Sequence, residues 1–478
     1  MIPLTLAEVA TAVDGRLVAA DPTVRVTDTV EFDSRKVRPG GLFVAFRGEK
    51  VDGHDFAASA IEAGAVATIG TCEVPGVPMV VVDDALTAMA KLARAVLSRL
   101  PGLTVVGVTG SSGKTTTKDF IAQLAARLGP TVAPTGSFNN ELGHPYTVLR
   151  ATAETRFLVL EMGARGPGHI RYLCEIAPPH IGVVLNVGVA HIGEFGSVEG
   201  IAAAKGELVE ALPPEGLAVL NADDPRVRAM AERTAAEVML VGEAPDATLR
   251  AEDVVLDNRG RASYTLVYQP GGPHGREQAS EASPHGERVA VRLTVAGRHQ
   301  VANTLAAAAV ALRLGMPVGD LPDALGALRL VSGRRMDVFD RADGVTVIDD
   351  SYNANPASTA AALRALVAMG NGRRTIAVLG YQAELGEFER EGHEEVGRLA
   401  AELGVDRLIV IGEPAAPICD GAAAVTNWGG ESVLVADQEA AIALLREELR
   451  SGDVVLVKGS RYRTWDVADA LRAAEGMA

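Results

Sequence analysis

Hydrophobic residues gather into short unbroken runs that alternate with stretches of helical spacing, the rhythm of parallel strands joined by helices. The run at 103–108 predicts a buried strand. Beyond it Phe120, Ile121, Leu124 and Leu128 recur at helical spacing, which predicts a helix over 115–128 ended by Gly129-Pro130. Further strands are predicted at 157–160, 181–187 and 217–220, then at 345–348, 375–379, 408–411, 432–435 and 454–457. Ahead of 103 the pattern gives a short amphipathic helix at 6–13, a helix at 57–63, strands at 65–69 and 79–82, and a long helix at 85–100. Pro101-Gly102 punctuates the join and is expected to be a hinge. The tract at 270–287, rich in Gly, Pro, Ser and charge, separates two strands of an appended small sheet, at 263–268 and 289–295. His274 and His285 within it read as loop residues rather than a metal site. The expected fold class is α/β with three domains: 1–101, 102–330 around a central parallel sheet with a P-loop, and a Rossmann-like 331–478.

Composition narrows the function more than the fold. Charged residues at 22 % in an aliphatic-rich chain describe a folded protein. A net charge of −16 argues against nucleic acid or an anionic membrane as partner, whereas a phosphorylated substrate needs only a few local cations. Cys72, Cys174 and Cys419 are odd in number and far apart, as expected of inert reduced thiols in the cytoplasm. No basic stretch followed by an apolar core opens the chain, and no uncharged apolar run approaches the roughly 18 residues of a membrane span. A monomer is the default expectation.

The clearest chemistry lies in Gly107-Val-Thr-Gly-Ser-Ser-Gly-Lys-Thr-Thr-Thr117. Between a strand and a helix, Gly110, Ser111, Ser112 and Gly113 offer backbone N–H groups to a phosphate. Lys114 adds a point charge, and Thr115, followed by Thr116, brings a hydroxyl to magnesium. The ordinary spacing wants a glycine at 108, where Val108 stands, so this is a P-loop of a restricted type. Glu161 ends the strand at 157–160. A carboxylate there suits the nucleotide's magnesium, although a capping glutamate fits the sequence as well. His191 reads equally as a ligand or an ordinary loop histidine. Lys205, on a helix starting near Ser197, reads by itself as a solvated lysine. Asp349-Asp350-Ser-Tyr-Asn353-Ala-Asn355-Pro356 and Lys458-Gly-Ser460-Arg461 each follow a strand in the last segment, pointing to a ligand clamped between domains.

Taken in order, Thr109-Gly-Ser-Ser-Gly-Lys-Thr-Thr116, Glu161-Met-Gly163, Asn186-Val-Gly-Val-Ala-His191, Ala204-Lys-Gly206, Gly297-Arg-His-Gln-Val-Ala-Asn303, Gly333-Arg334 and the 349–356 cluster resemble the Mur ligases. These are ATP-dependent amide ligases that build the peptidoglycan stem peptide in the bacterial cytoplasm. The matching stretches run from Asp33 to Arg461. Ser137-Phe-Asn-Asn140-Glu-Leu-Gly143-His-Pro145 and Ala383-Glu-Leu-Gly-Glu387 are similar to the member that joins D-alanyl-D-alanine to UDP-N-acetylmuramoyl-tripeptide. The Asp-Asn-Pro-Arg motif usual in the ligase for the third stem residue does not occur here.

The resemblance implies a first domain for the UDP end of the substrate, a central ATPase domain and a C-terminal ligase domain. It implies ATP and two magnesium ions, with Lys114 on the β/γ-phosphates. Thr115 and Glu161 would hold one magnesium; His191 and a carbamylated Lys205 would help to hold the second. Asn303 would meet adenine, and Arg334 and Asp350 the nucleotide's phosphate and ribose. Ser34 and Arg35 would face UDP, and Asn139 and Asn140 the muramoyl-peptide, while Asn353, Asn355 and Lys458 would complete the substrate contacts. The chain departs from the family at Tyr381-Gln382, where Asp-Met is common, which leaves the contacts to the incoming dipeptide open. A sister stem-peptide ligase or a folylpolyglutamate-type ligase is the alternative. A P-loop kinase has no need of the strand-end clusters, and a non-catalytic binding protein has no need of Lys114, Thr115, Glu161 and Lys205 together.

Overall fold

The computed structural model describes residues 1–188, 195–270, 286–460 and 462–473. Among them a nine-stranded sheet forms the centre, in the order Glu287–Ala296, Arg261–Tyr268, Leu249–Leu256, Glu237–Gly242, Leu217–Asn221, Ile181–Val184, Thr104–Thr109, Phe157–Glu161 and Thr131–Val132. The strands from Glu237–Gly242 to Thr131–Val132 run parallel. Their central residues are apolar because both faces are covered, and polar residues stand at their ends. Val106, Val108, Val159 and Val183 point into one core, while Val105, Leu158, Leu160 and Val184 point into another. The appended small sheet is an antiparallel extension of this one, attached through Val241↔Leu249 and Gly242↔Arg250.

Two helices on one face position the nucleotide chemistry. Lys114–Ala126 buries Phe120, Ile121 and Leu124, and packs against Gln300–Arg313. The latter presents Ala306 to Ala309 inward, and these small side chains let the two helices approach closely. On the opposite face the core is shared with the first segment: Leu6, Val9, Met89, Leu92 and Val96 belong to the same cluster as Val105, Leu158 and Leu173. The helix Ala85–Leu97 packs against Gly143–Val148, so Pro101-Gly102 is a turn over continuous apolar contact. The first segment carries its own five-stranded sheet, ordered Arg16–Val18, Met79–Val81, Ala67–Gly70, Leu42–Val44 and Val30–Glu31.

The last segment forms a six-stranded sheet ordered Asp337–Asp340, Thr346–Asp349, Val454–Lys458, Thr375–Leu379, Arg407–Ile411 and Glu431–Val435. Its first strand is antiparallel and the rest are parallel. The chain order reverses around Val454–Lys458, and ligands of such sheets bind beyond the strand ends at this reversal. Asp350 and Lys458 stand there.

One predicted strand is shorter than expected. The run at 181–187 leaves the sheet after Val184, because Asn186 turns away to hydrogen-bond the P-loop. The predicted loop at 270–287 falls largely outside the described residues.

Candidate active site

The P-loop explains its own unusual spacing. Val108 is fully buried in Thr104–Thr109 and lies opposite Glu161 in register, so position 108 belongs to the sheet. The turn closes at Gly113, whose φ of 80° is left-handed and where a Cβ would sit 2.7 Å from Asn303 Oδ1. Asn186 braces the loop: Ser111 N–H donates to its carbonyl at 3.0 Å, and Ser112 N–H to its Oδ1 at 2.9 Å. No side chain caps the helix Lys114–Ala126, which leaves its first-turn amides for a ligand. Lys114 Nζ donates to Gly110 O at 2.7 Å. Burial lowers the pKa of Lys114, and the carboxylate of Glu161 opposes that shift.

Glu161 is 1 % exposed at the end of Phe157–Glu161. It accepts the Thr115 hydroxyl at 2.7 Å on one oxygen, and the Ser137 hydroxyl and Asn139 amide, both at 2.8 Å, on the other. A buried carboxylate and two hydroxyls beside a phosphate cradle are hard oxygen donors of the kind that suit magnesium. Asn140 spends its side-chain oxygen on Gly143 N–H at 2.9 Å, which fixes the turn into Gly143–Val148.

Lys205 lies on Val198–Glu210, a helix capped by Ser197. It is not solvated: the residue is 5 % exposed and makes no hydrogen bond or ion pair among the described residues. Burial, reinforced by the charge of Lys114, lowers its pKa well below the usual lysine value. Lys114, Asn139, Asn140 and Arg165 line two clefts at once. The first, of about 820 Å³, runs from the P-loop to Asn303, Asp350 and Lys458. The second, of about 410 Å³, holds Lys205 and opens toward Leu86 of the first segment. His191 and Arg461 lie outside the described residues.

From the last segment, Lys458 reaches Asp350 Oδ2 at 2.5 Å and Asn353 O at 2.9 Å. Asp350 Oδ1 also accepts Met336 N–H at 3.0 Å. Arg334 lines the first cleft and bonds within its own domain, to Asp469 Oδ2 at 2.9 Å and Trp465 O at 3.3 Å. Its neighbour Arg335, which the sequence reading passed over, stacks 4.2 Å above Tyr352, lines the first cleft and bears electrostatically on Lys114. Its buried Nε has no hydrogen-bond partner among the described residues. Asn355 serves as a helix cap, accepting Ser358 N–H at 2.9 Å at the start of Pro356–Gly370. Ser34 and Arg35 line neither cleft; Arg35 forks onto Asp33 at 2.8 and 2.9 Å. Tyr381 stacks on His393 and donates to Glu389 at 2.6 Å, while Gln382 is buried beneath it.

A P-loop α/β sheet faced by a second, Rossmann-like α/β domain, with cations and carboxylates from both at one cleft, defines an enzyme that uses a nucleotide between two domains. Family models described as Mur ligase family, catalytic domain, Mur ligase middle domain, and Mur ligase, glutamate ligase domain match residues 27–97, 108–311 and 334–461. The chain belongs to the Mur ligase family. It is 49 % identical to the UDP-N-acetylmuramoyl-tripeptide–D-alanyl-D-alanine ligase of Mycobacterium bovis, over 99 % of this chain and 98 % of that one. Among solved structures it is similar to MurF from Acinetobacter baumannii, with a TM-score of 0.85 and 30 % identity over 98 % of this chain and 99 % of that one. It is also similar to MurF ligase from Thermotoga maritima in complex with ADP, with a TM-score of 0.79 and 31 % identity over 95 % and 99 %.

Proposed function

We propose that this enzyme uses ATP to join the amino group of D-alanyl-D-alanine to the terminal carboxylate of UDP-N-acetylmuramoyl-tripeptide. The observation that carries the reading is the meeting of two clefts at Lys114: one suits a nucleotide, the other a carboxylate substrate arriving from the first segment. The full-length likeness to ligases of this name supports the choice of substrates.

The γ-phosphoryl group passes from ATP to the tripeptide carboxylate, giving an acyl phosphate. The amine attacks its carbonyl carbon, and inorganic phosphate leaves as the amide forms. Such transfers need positioning and charge neutralisation more than covalent help. Lys114 and the first-turn amides of Lys114–Ala126 hold the phosphates in line. Arg335 adds positive charge from the facing domain, and Asn303 stands against the loop where the nucleoside emerges. Thr115 and Glu161 would hold magnesium, which when bound neutralises charge on the transferring group. Burial beside Lys114 disfavours the charged form of Lys205, and the neutral amine is the form that would add carbon dioxide, releasing one proton and becoming a carbamate. That carbamate would contribute to a second magnesium position together with His191.

The segments 1–101, 102–330 and 331–478 then divide the work among the UDP end, ATP and the amine. Acyl phosphates hydrolyse readily, so closure of the last segment over the first cleft excludes water at the reactive step. No helix of the described residues is long and apolar enough to cross a membrane, and the reading places the work in the cytoplasm.

A phosphate-release assay with ATP, magnesium, UDP-MurNAc-tripeptide and a panel of amines tests the proposal. Release with D-alanyl-D-alanine and not with single amino acids is expected. Preference for meso-diaminopimelate or lysine as the amine, with the UDP-MurNAc-dipeptide as carboxylate, would overturn it.

A further inference from the structure

We infer that Glu384 receives the positively charged amino group of the incoming amine, an inference that rests on the ligase reading above. Among the described residues, Glu384 is the one member of the last segment that lines the second cleft, and it lines the first cleft too. Its carboxylate therefore stands where the two substrates must meet. The central domain presents cations at that junction, Lys114 and Arg165, which suit the carboxylate and phosphate of the acyl donor but repel an ammonium. A negative group carried in by the facing domain supplies what the amine requires.

The backbone holds Glu384 there at a cost. Its φ of 68° is left-handed, a conformation that glutamate disfavours and that clusters at functional sites when neighbours enforce it. The neighbours do so here. Ala383 N–H donates to Ser460 Oγ at 2.8 Å, Gln382 N–H to His393 Nε2 at 3.0 Å, and Leu385 is buried. The side chain itself is exposed into the cleft. Glu384 also bears on Lys114 electrostatically, and an incoming ammonium would take over that partnership when phosphate occupies Lys114.

The test compares two nucleophiles for the same acyl phosphate. D-Alanyl-D-alanine arrives as an ammonium and releases one proton to water before its amine attacks; hydroxylamine is largely uncharged at neutral pH and gives a hydroxamate. Glu384→Gln, and Glu384→Asn as a variant that tolerates the left-handed backbone, are assayed with both. The expected result is a fall in kcat/KM for D-alanyl-D-alanine on the order of 100-fold, carried mainly by KM. Hydroxamate formation and the KM for ATP should stay near wild type. Equal loss with both nucleophiles together with a raised KM for ATP would assign Glu384 to Lys114 alone and overturn the inference. Unchanged KM for the dipeptide would also overturn it while leaving the ligase reading intact. A wild-type enzyme that ignores D-alanyl-D-alanine would remove both.

Discussion

Thr115 and Glu161 stand 46 residues apart in sequence, and the hydroxyl of the first donates to the carboxylate of the second at 2.7 Å. Parallel pairing of Thr104–Thr109 with Phe157–Glu161 makes this meeting obligatory: one strand ends in the P-loop, the other in the carboxylate. If the pair holds magnesium, Glu161→Gln keeps the shape and removes the charge. Turnover should fall about 100- to 1,000-fold. The magnesium concentration for half-maximal activity should rise about 10- to 100-fold. Phosphate release measured across a magnesium titration checks both, and an unshifted midpoint would remove Glu161 from the metal.

Lys205 offers a chemical test. Replacement by alanine should cripple turnover, and short-chain carboxylic acids should restore part of it by standing in for the carbamate. Thermal melting of the variant separates loss of chemistry from loss of fold. Unaffected turnover would take Lys205 out of the metal site.

Adjacent arginines should behave differently. Arg335→Ala removes the guanidinium above Tyr352 and should raise the KM for ATP or lower kcat by roughly 100-fold. Arg334→Ala breaks a half-exposed contact with Asp469, so its main effect should be about 0–1 kcal/mol of stability. Steady-state kinetics with varied ATP, paired with denaturant midpoints, distinguish the two. A larger kinetic defect in the Arg334 variant would reverse the assignment.

Acid should destabilise the fold through His144. The ring is fully buried, neither nitrogen makes a hydrogen bond of good geometry, and burial pushes its pKa down to about 4. An unfolded chain takes up this proton near pH 6.5 while the folded chain resists it, so stability present above that pH is lost as pH falls toward 4. The loss attributable to His144 is on the order of 3 kcal/mol. Urea unfolding at pH 7 and pH 5 should show a smaller difference in a His144→Leu variant than in wild type. Burial also lowers His180, His299 and His393, so part of the pH dependence should persist.

Most strands covered on both faces were legible because their middle residues are apolar, although Glu237–Gly242 was not picked out. Thr375–Leu379 matches its predicted bounds for this reason. Two strands with a wet side were missed: Leu249–Leu256 mixes charge with apolar residues and bulges between Glu252 and Val255. Asp337–Asp340 is an edge strand with aspartate at both ends. The P-loop, Glu161, Asp350 and Lys458 could be placed because each directly follows or closes a strand. The burial of Lys205 could not, since a run of alanines looks the same beside solvent or beside a domain. Nor could the presence of Arg335 beside Arg334 in the cleft be read in advance. Left-handed backbone at Arg334 and Met336, with φ of 61° and 56°, shapes how the two arginines enter the cleft that both line, and neither residue type announces it.

The apolar contact that continues beneath Pro101-Gly102 bears on substrate length. With Met89 and Leu92 in the same core as Val105 and Leu158, the first two segments form one continuously packed chassis. If the uridine end is held on the first segment, its separation from Lys114 is fixed by that chassis and not by a hinge. The scaffold then works as a gauge: a stem of the right number of residues brings its carboxylate to the P-loop, and a shorter one stops before reaching it.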